Sequence, residues 1–355
     1  MNSKPFIYDF DLEQLTGQMK SWGIESYRAK QLWSGLYREL WNDPAQFSIL
    51  PTALREKLGE EFSFSSLTEE ISLHSKDGQT TKTLFNLPDG QAIETVLMRY
   101  EQRNTLCIST QAGCAMGCVF CATGQMGFRR NLSSGEIVEQ VLFYARQLAE
   151  KGQKITNVVL MGMGEPFHNY EASLGAIDRL NHPDGFNLSA RRFTISTVGL
   201  IPAIKRFTKE KRQVNLAISL HATDDAKRSA MLPINQRYPI KDLIQACHEY
   251  VEHTGRRITF EWALIQDVND SSEQARQLAE HLRGLNCHVN VIPLNPTKGF
   301  PGKKSTRERV AAFQAELTAQ GISCTVRVRR GIDIAAGCGQ LAERTPAELN
   351  EIAES

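Results

Sequence analysis

Residues 107–124 read CISTQAGCAMGCVFCATG and hold four of the eight cysteines of a 355-residue chain. Cys114, Cys118 and Cys121 form a C-x3-C-x2-C run with Cys107 just upstream, while Cys247, Cys287, Cys324 and Cys338 are scattered. Thiols so dense, behind an N-terminus (MNSKPFIYDFDLEQL) with no export-like apolar run, point to metal or redox chemistry and away from a disulfide framework. Structural zinc wants four closed ligands, usually as two paired motifs, and the sequence has neither a second C-x2-C nor a nearby His pair. Three closely spaced thiolates suit a [4Fe-4S] cluster instead, with its fourth iron left open to a ligand.

The run follows TLCIST, the first of a series of apolar β-rich segments that continues through ITNVVLMG, RFTISTVG, VNLAISL, ITFEWALI, HVNVIPL and CTVRVR. Helical patterns separate them. In SSGEIVEQVLFYARQLAEK, Ser133 and Glu136 make a capping box, and Ile137, Val141, Ala145 and Leu148 form one stripe. Strands nearly apolar throughout predict a parallel sheet covered on both faces, and about six βα units predict an α/β partial barrel, (β/α)6, over residues 104–345. Its working residues belong at the C-terminal strand ends. Residues 1–62 read as a small helical domain, with Tyr27, Leu32, Trp33, Leu36, Tyr37, Leu40 and Trp41 at helical spacings. Residues 63–103 read as an antiparallel β-hairpin extension with turns at SKDG (75–78) and PDG (88–90), and 346–355 as a tail.

Composition is that of an ordinary globular protein, with 41% hydrophobic and 23% charged residues. Without a stretch of about 20 apolar residues, no membrane partner is expected, and the chain reads as cytoplasmic. Net charge is only +1, yet residues 296–330 carry Lys298, Lys303, Lys304, Arg307, Arg309, Arg327, Arg329 and Arg330 against Glu308 and Glu316. That basic excess is either a footprint for a phosphate backbone or a solvated loop.

Other motifs join the cysteine run: MGMGEP (161–166), STVG (196–199), SLHA (219–222), PIN (233–235), LNP (294–296) and GIDIAAGCGQL (331–341). In this order and spacing the chain resembles the RlmN/Cfr branch of the radical S-adenosylmethionine (SAM) superfamily, RNA adenine methyltransferases, over nearly its full length. YRAKQLW resembles the branch's N-terminal accessory domain, for which the resemblance implies RNA binding. It further implies a [4Fe-4S] cluster on Cys114, Cys118 and Cys121, and SAM, two per turnover, held by Gly164, Glu165, Ser196, Ser219, Leu220, His221 and Asn295. By residue type alone, GMGEP would be a weak glycine-rich turn and His221 a structural histidine.

The same resemblance implies that Cys338 carries a methyl group to adenine, that Glu94 removes a ring proton, and that Cys107 resolves the product through a Cys107–Cys338 disulfide. On pattern alone, Cys338 would be a small buried residue between Gly337 and Gly339, which suggest a flexible loop. Glu94 shares a strand face with Ala92, Val96 and Met98, where desolvation should raise its pKa; the alternative is a surface carboxylate. Implied substrates are 23S rRNA at the peptidyl transferase centre and the adenine 3′ to a tRNA anticodon, methylated at carbon-2. A flavodoxin or ferredoxin would supply electrons to a monomer. The competing Cfr-type reading, carbon-8 methylation conferring antibiotic resistance, is disfavoured by Pro166, where that branch has Ala. A non-catalytic iron-sulfur RNA-binding protein is disfavoured by Cys107, Cys338 and Glu94, which neither ligation nor binding needs.

Overall fold

The computed structural model describes residues 4–342; the expected tail, 346–355, lies outside them. Helices α1 (Leu12–Ser21), α2 (Tyr27–Tyr37) and α3 (Thr52–Glu61) precede a meander of β1 (Thr68–His74), β2 (Thr80–Asn86) and β3 (Ala92–Tyr100). Strand β4 (Arg103–Cys107) pairs antiparallel with β3 and parallel with β7 (Asn157–Leu160). Between them lie β5 (Gln111–Gly113), the short α4 (Ala122–Gln125), β6 (Phe128–Asn131) and α5 (Ser134–Ala149). The series continues as α6 (Tyr170–Asn181), β8 (Phe193–Thr197), α7 (Ile201–Glu210), β9 (Asn215–Ser219), α8 (Asp225–Met231), α9 (Ile240–Thr254), β10 (Ile258–Leu264), α10 (Ser272–His281), β11 (Cys287–Pro293), α11 (Arg307–Ala319) and β12 (Cys324–Val326).

The sheet runs β1-β2-β3-β4-β7-β8-β9-β10-β11-β12. From β4 to β12 every pairing is parallel, so six βα units build an open barrel, and the meander extends its first edge. Ser133 caps α5 with the capping box reciprocated by Glu136, as the sequence predicts.

One expectation is corrected. The barrel strands are not apolar on both faces: Phe193, Ile195, Leu216, Ile218, Phe260, Trp262, Val289 and Val291 pack in the core. Their neighbours Thr194, Ser196, Ser219, Thr259, Glu261 and Asn290 line cavities. The alternation has period two, and these polar side chains enter a lumen that side chains do not fill, beside apolar ones such as Leu160, Met161, Ile292 and Leu294.

Helices α1–α3 share one hydrophobic core with the barrel. Asp9 Oδ1 accepts from Gly135 N at 2.8 Å, Arg146 Nε donates to Leu40 O at 2.9 Å, and the buried Glu139 accepts from Ser65, Ser66 and Leu67. The helical segment is thereby fixed to the outer face of α5 and α6. Among the described residues, no helix is long and apolar enough to cross a membrane.

Candidate active site

The loop after β4 carries Cys114, Cys118 and Cys121 onto the C-terminal end of the barrel, where all three line a cavity of about 160 Å³. Gly164, Glu165, Ser196, Ser219, His221, Asn295 and Cys338 line the same cavity. Leu220 does not. Its side chain is buried in the core, and only its backbone serves the site, donating to Glu261 O and accepting from Arg228 Nε.

Close backbone approach explains the glycines of MGMGEP. A Cβ on Gly162 would lie 2.6 Å from Ile108 O, and Gly164, at φ +102°, would put one 2.7 Å from Gln111 N. Glu165 is thereby buried, its Oε1 accepting from Phe167 N at 3.0 Å and its Oε2 from Val198 N at 2.9 Å. Desolvation outweighs both bonds and raises its pKa to about 7. His221 sits at φ +61° with Nδ1 accepting from Ala263 N at 2.9 Å, so Nε2 carries the hydrogen of the neutral ring. Burial and Arg228 lower its pKa to about 3, which keeps it neutral at working pH.

Cys338 also lines a second cavity, of about 220 Å³, together with Cys107. The Cys338 side chain is exposed to these spaces but enclosed closely enough that desolvation pushes its thiol pKa up. Burial does the same to Cys107, with the neighbouring Cys338 adding to it and Arg327 opposing it. The expected flexible loop is instead pinned: Asn295 Nδ2 donates to Cys338 O at 3.1 Å, Ala122 N to Gly339 O at 2.7 Å and Thr123 Oγ1 to Leu341 O at 2.6 Å. Here the glycines serve contact and turn geometry, since a Cβ on Gly337 would sit 2.6 Å from Asn295 Nδ2 and Gly339 has φ +79°.

Glu94 is fully buried, as its strand face implied, but a counter-charge accompanies it: Lys82 Nζ lies 2.8 Å from Oε1. Ala342 N donates to Glu94 Oε2 at 3.0 Å, and Lys82 Nζ to Ala335 O at 3.4 Å. The pair therefore grips both ends of the segment that carries Cys338. Glu94 lines neither cavity, so this conformation does not bring it to the thiols.

The radical SAM superfamily model matches residues 108–279. Over 98% of its length the chain is 50% identical to the probable dual-specificity RNA methyltransferase RlmN of Chloroflexus aurantiacus, covering 95% of that protein. It is also 49% identical over 94% of its length to dual-specificity RNA methyltransferase RlmN 1 of Myxococcus xanthus, covering 93% of it. The chain belongs to the RlmN family. A radical SAM methyltransferase from Sphaerobacter thermophilus shares the fold at TM-score 0.93 and 50% identity, over 95% of this chain and 99% of that one.

A radical SAM RNA methyltransferase of the RlmN family uses a [4Fe-4S] cluster and SAM, and the donor set here fits both. Without metal the thiols are poor ligands: burial raises Cys114 to about 12 and Cys118 well above its usual value, with Cys121 adding to both. Iron reverses that balance by binding thiolate. Among the described residues no three His, Cys, Asp or Glu side chains converge as a single-ion site would; a cube makes no such demand, because each thiolate takes a different iron. Alanine at all three positions is expected to reduce reconstituted iron from about four per chain to background; colorimetric iron assay checks this.

The charge of Glu165 in this cavity depends on pH. Its folded pKa lies above its ordinary value, so the burial penalty is absent below the ordinary carboxylate range and complete above about 7. An amine donating to Glu165 needs the carboxylate, so SAM affinity of the cluster-loaded enzyme is expected to fall about tenfold per pH unit below 7. Calorimetric titration at several pH values reads the slope, which Glu165→Gln should flatten.

Two residues that sequence reasoning passed over hold the RlmN site together. Arg228 of α8 is fully buried and donates to Leu220 O (3.1 Å), Val198 O (2.7 Å), Ser219 O (3.1 Å) and Asn235 Oδ1 (2.8 Å). It thus laces STVG, SLHA and PIN together. Asn269 donates to His221 O and Ala263 O, both at 2.7 Å. Within the basic segment 296–330 the charges differ in exposure and in partners, and Arg329 Nε reaches back to donate to Asn295 Oδ1 at 2.9 Å. Lys298, Lys303, Lys304 and Arg307 are exposed, and beside Lys298 the segment meets the helix after the cysteine loop, where Gln125 Nε2 donates to Thr297 Oγ1 at 3.3 Å. Arg309 is held by Asp270, while Arg330 and Arg103 both lie over the Tyr100 ring, at 4.3 and 4.1 Å from its centroid, beside the second cavity.

Proposed function

We propose that this enzyme methylates carbon-2 of adenine in 23S rRNA and in tRNA, with Cys338 as the methyl carrier. The observation that carries this reading is that Cys338 lies on the wall shared by the cavity of the three cysteines and the cavity of Cys107. Cluster and SAM, when bound, supply methyl groups and a carbon-centred radical. The chain's residues do the rest. Cys338 presents its methyl group to the base: the carbon-centred radical takes one hydrogen atom from it, the remaining methylene joins the ring carbon, and loss of the ring proton and of one electron, which the cluster would take back when bound, leaves a closed-shell thioether. Cys107 thiolate attacks the Cys338 sulfur, the S–S bond forms, the S–C bond breaks, and the released carbon takes up a proton. Glu94 takes the ring proton once the 335–342 segment shifts from its hold on Lys82 and Glu94. His221, neutral, donates from Nε2, and Glu165 accepts from the methionyl amine of SAM.

Arg327, Arg329 and Arg330 flank the second cavity, and their charge suits the backbone around an unstacked base. An acidic flavodoxin or ferredoxin suits the lysines near the cluster loop. Mass spectrometry of ribosomal and transfer RNA from a deletion strain, with the methylated atom resolved, tests the reading. Persistence of 2-methyladenine in both RNAs would overturn it, and loss of 8-methyladenine in its place would establish the carbon-8 alternative.

A further inference from the structure

Glu261 occupies the middle of β10, in register with Ser219 on β9 and Asn290 on β11. It is 4% exposed and lines both cavities that meet at Cys338, as well as the polar opening at the far end of the barrel. A carboxylate inside an apolar strand needs a reason, because burial penalises its charge. Its Oε1 has one: Asn290 Nδ2 donates at 2.8 Å and Arg327 approaches to 3.7 Å. Its Oε2 is buried with no hydrogen-bond partner. Glu261 and Cys338 are also near enough to interact electrostatically. A buried acceptor left open beside the methyl-carrying thiol is the arrangement of a site that reads a donor on its substrate.

We propose that Glu261 is a specificity-determining residue, its Oε2 accepting a hydrogen bond from the exocyclic amine of the target base as that base lies against Cys338. This rests on the adenine reading above. Adenine offers that donor, whereas the O6 of guanine or hypoxanthine would face the carboxylate with a lone pair. In Glu261→Gln the single oxygen is kept by Asn290, and the amide nitrogen turned to the base is a donor meeting a donor.

The test is a two-by-two comparison: wild type and Glu261→Gln, each loaded with cluster, on an anticodon stem-loop RNA carrying adenine or purine, which lacks the amine, at the target position. Wild type should lose about 10- to 100-fold in kcat/KM on purine RNA. Glu261→Gln should lose a similar factor on adenine RNA and show no further loss on purine RNA. SAM affinity measured without RNA should match wild type. Independent, multiplying losses would overturn the proposal, as would weakened SAM binding in the variant, which would move Glu261 to the cofactor. The wild-type arm on purine RNA needs no variant, so undiminished turnover there refutes the contact even if Glu261→Gln fails to fold. No methylation of adenine RNA by wild type would instead refute the adenine reading itself.

Discussion

Cys107→Ala is expected to stall on its substrate, accumulating a covalent protein–RNA adduct that wild type does not show. Under the proposed reaction the base is released only when a second thiol displaces it from the Cys338 sulfur, and Cys107 is the thiol that lines the second cavity with Cys338, away from the three cysteines of the C-x3-C-x2-C run. Of the other cysteines, Cys114, Cys118 and Cys121 share the first cavity with Cys338 but would be held as cluster ligands, and Cys247 is fully buried in the core. Cys338→Ala should form no adduct, because the carrier sulfur is gone. Burial raises the Cys107 pKa and Arg327 opposes this, so Arg327→Gln should slow release and lengthen the life of a transient adduct. Denaturing gels with labelled RNA separate these outcomes. Normal turnover by Cys107→Ala without a shifted band would remove Cys107 from the mechanism.

The second large effect is structural. Arg228→Met should lower stability by about 3–5 kcal/mol, because Leu220 O, Val198 O, Ser219 O and Asn235 Oδ1 would all lose a donor inside the fold. Burial lowers the Arg228 pKa only to about 10, so the guanidinium stays charged at neutral pH and its bonds are charge-assisted. Arg228→Lys keeps the charge but not the fork, and at most three donors replace five, so an intermediate loss is expected. Urea unfolding read by circular dichroism checks the order Arg, Lys, Met. Under the proposed reading the same series should weaken SAM binding, since Ser196 and Ser219 line the cavity of the three cysteines on strands that Arg228 ties together. Equal midpoints for all three proteins would show that the lacing is redundant.

The strand positions were legible because apolar β-rich runs and helical stripes differ in period, and the capping box at Ser133 is a local signal. The convergence of Gly164, Glu165, Ser196 and Ser219 from the ends of three strands on one cavity was legible only because motif order stood in for distance. Leu220 shows the limit of that method: a motif position can serve through its backbone while its side chain is core. Local sequence dictated where the chain turns, caps and alternates, and where three thiols must gather, because those properties depend on neighbours within a few residues. Tertiary structure alone decided that polar strand residues face an unfilled lumen, that Lys82 stands beside Glu94, that Arg228 joins three loops, and that one oxygen of Glu261 is left open. Each of these depends on groups far apart in sequence, whose charge and hydrogen-bonding capacity acquire their energetic weight only when folding removes water from between them.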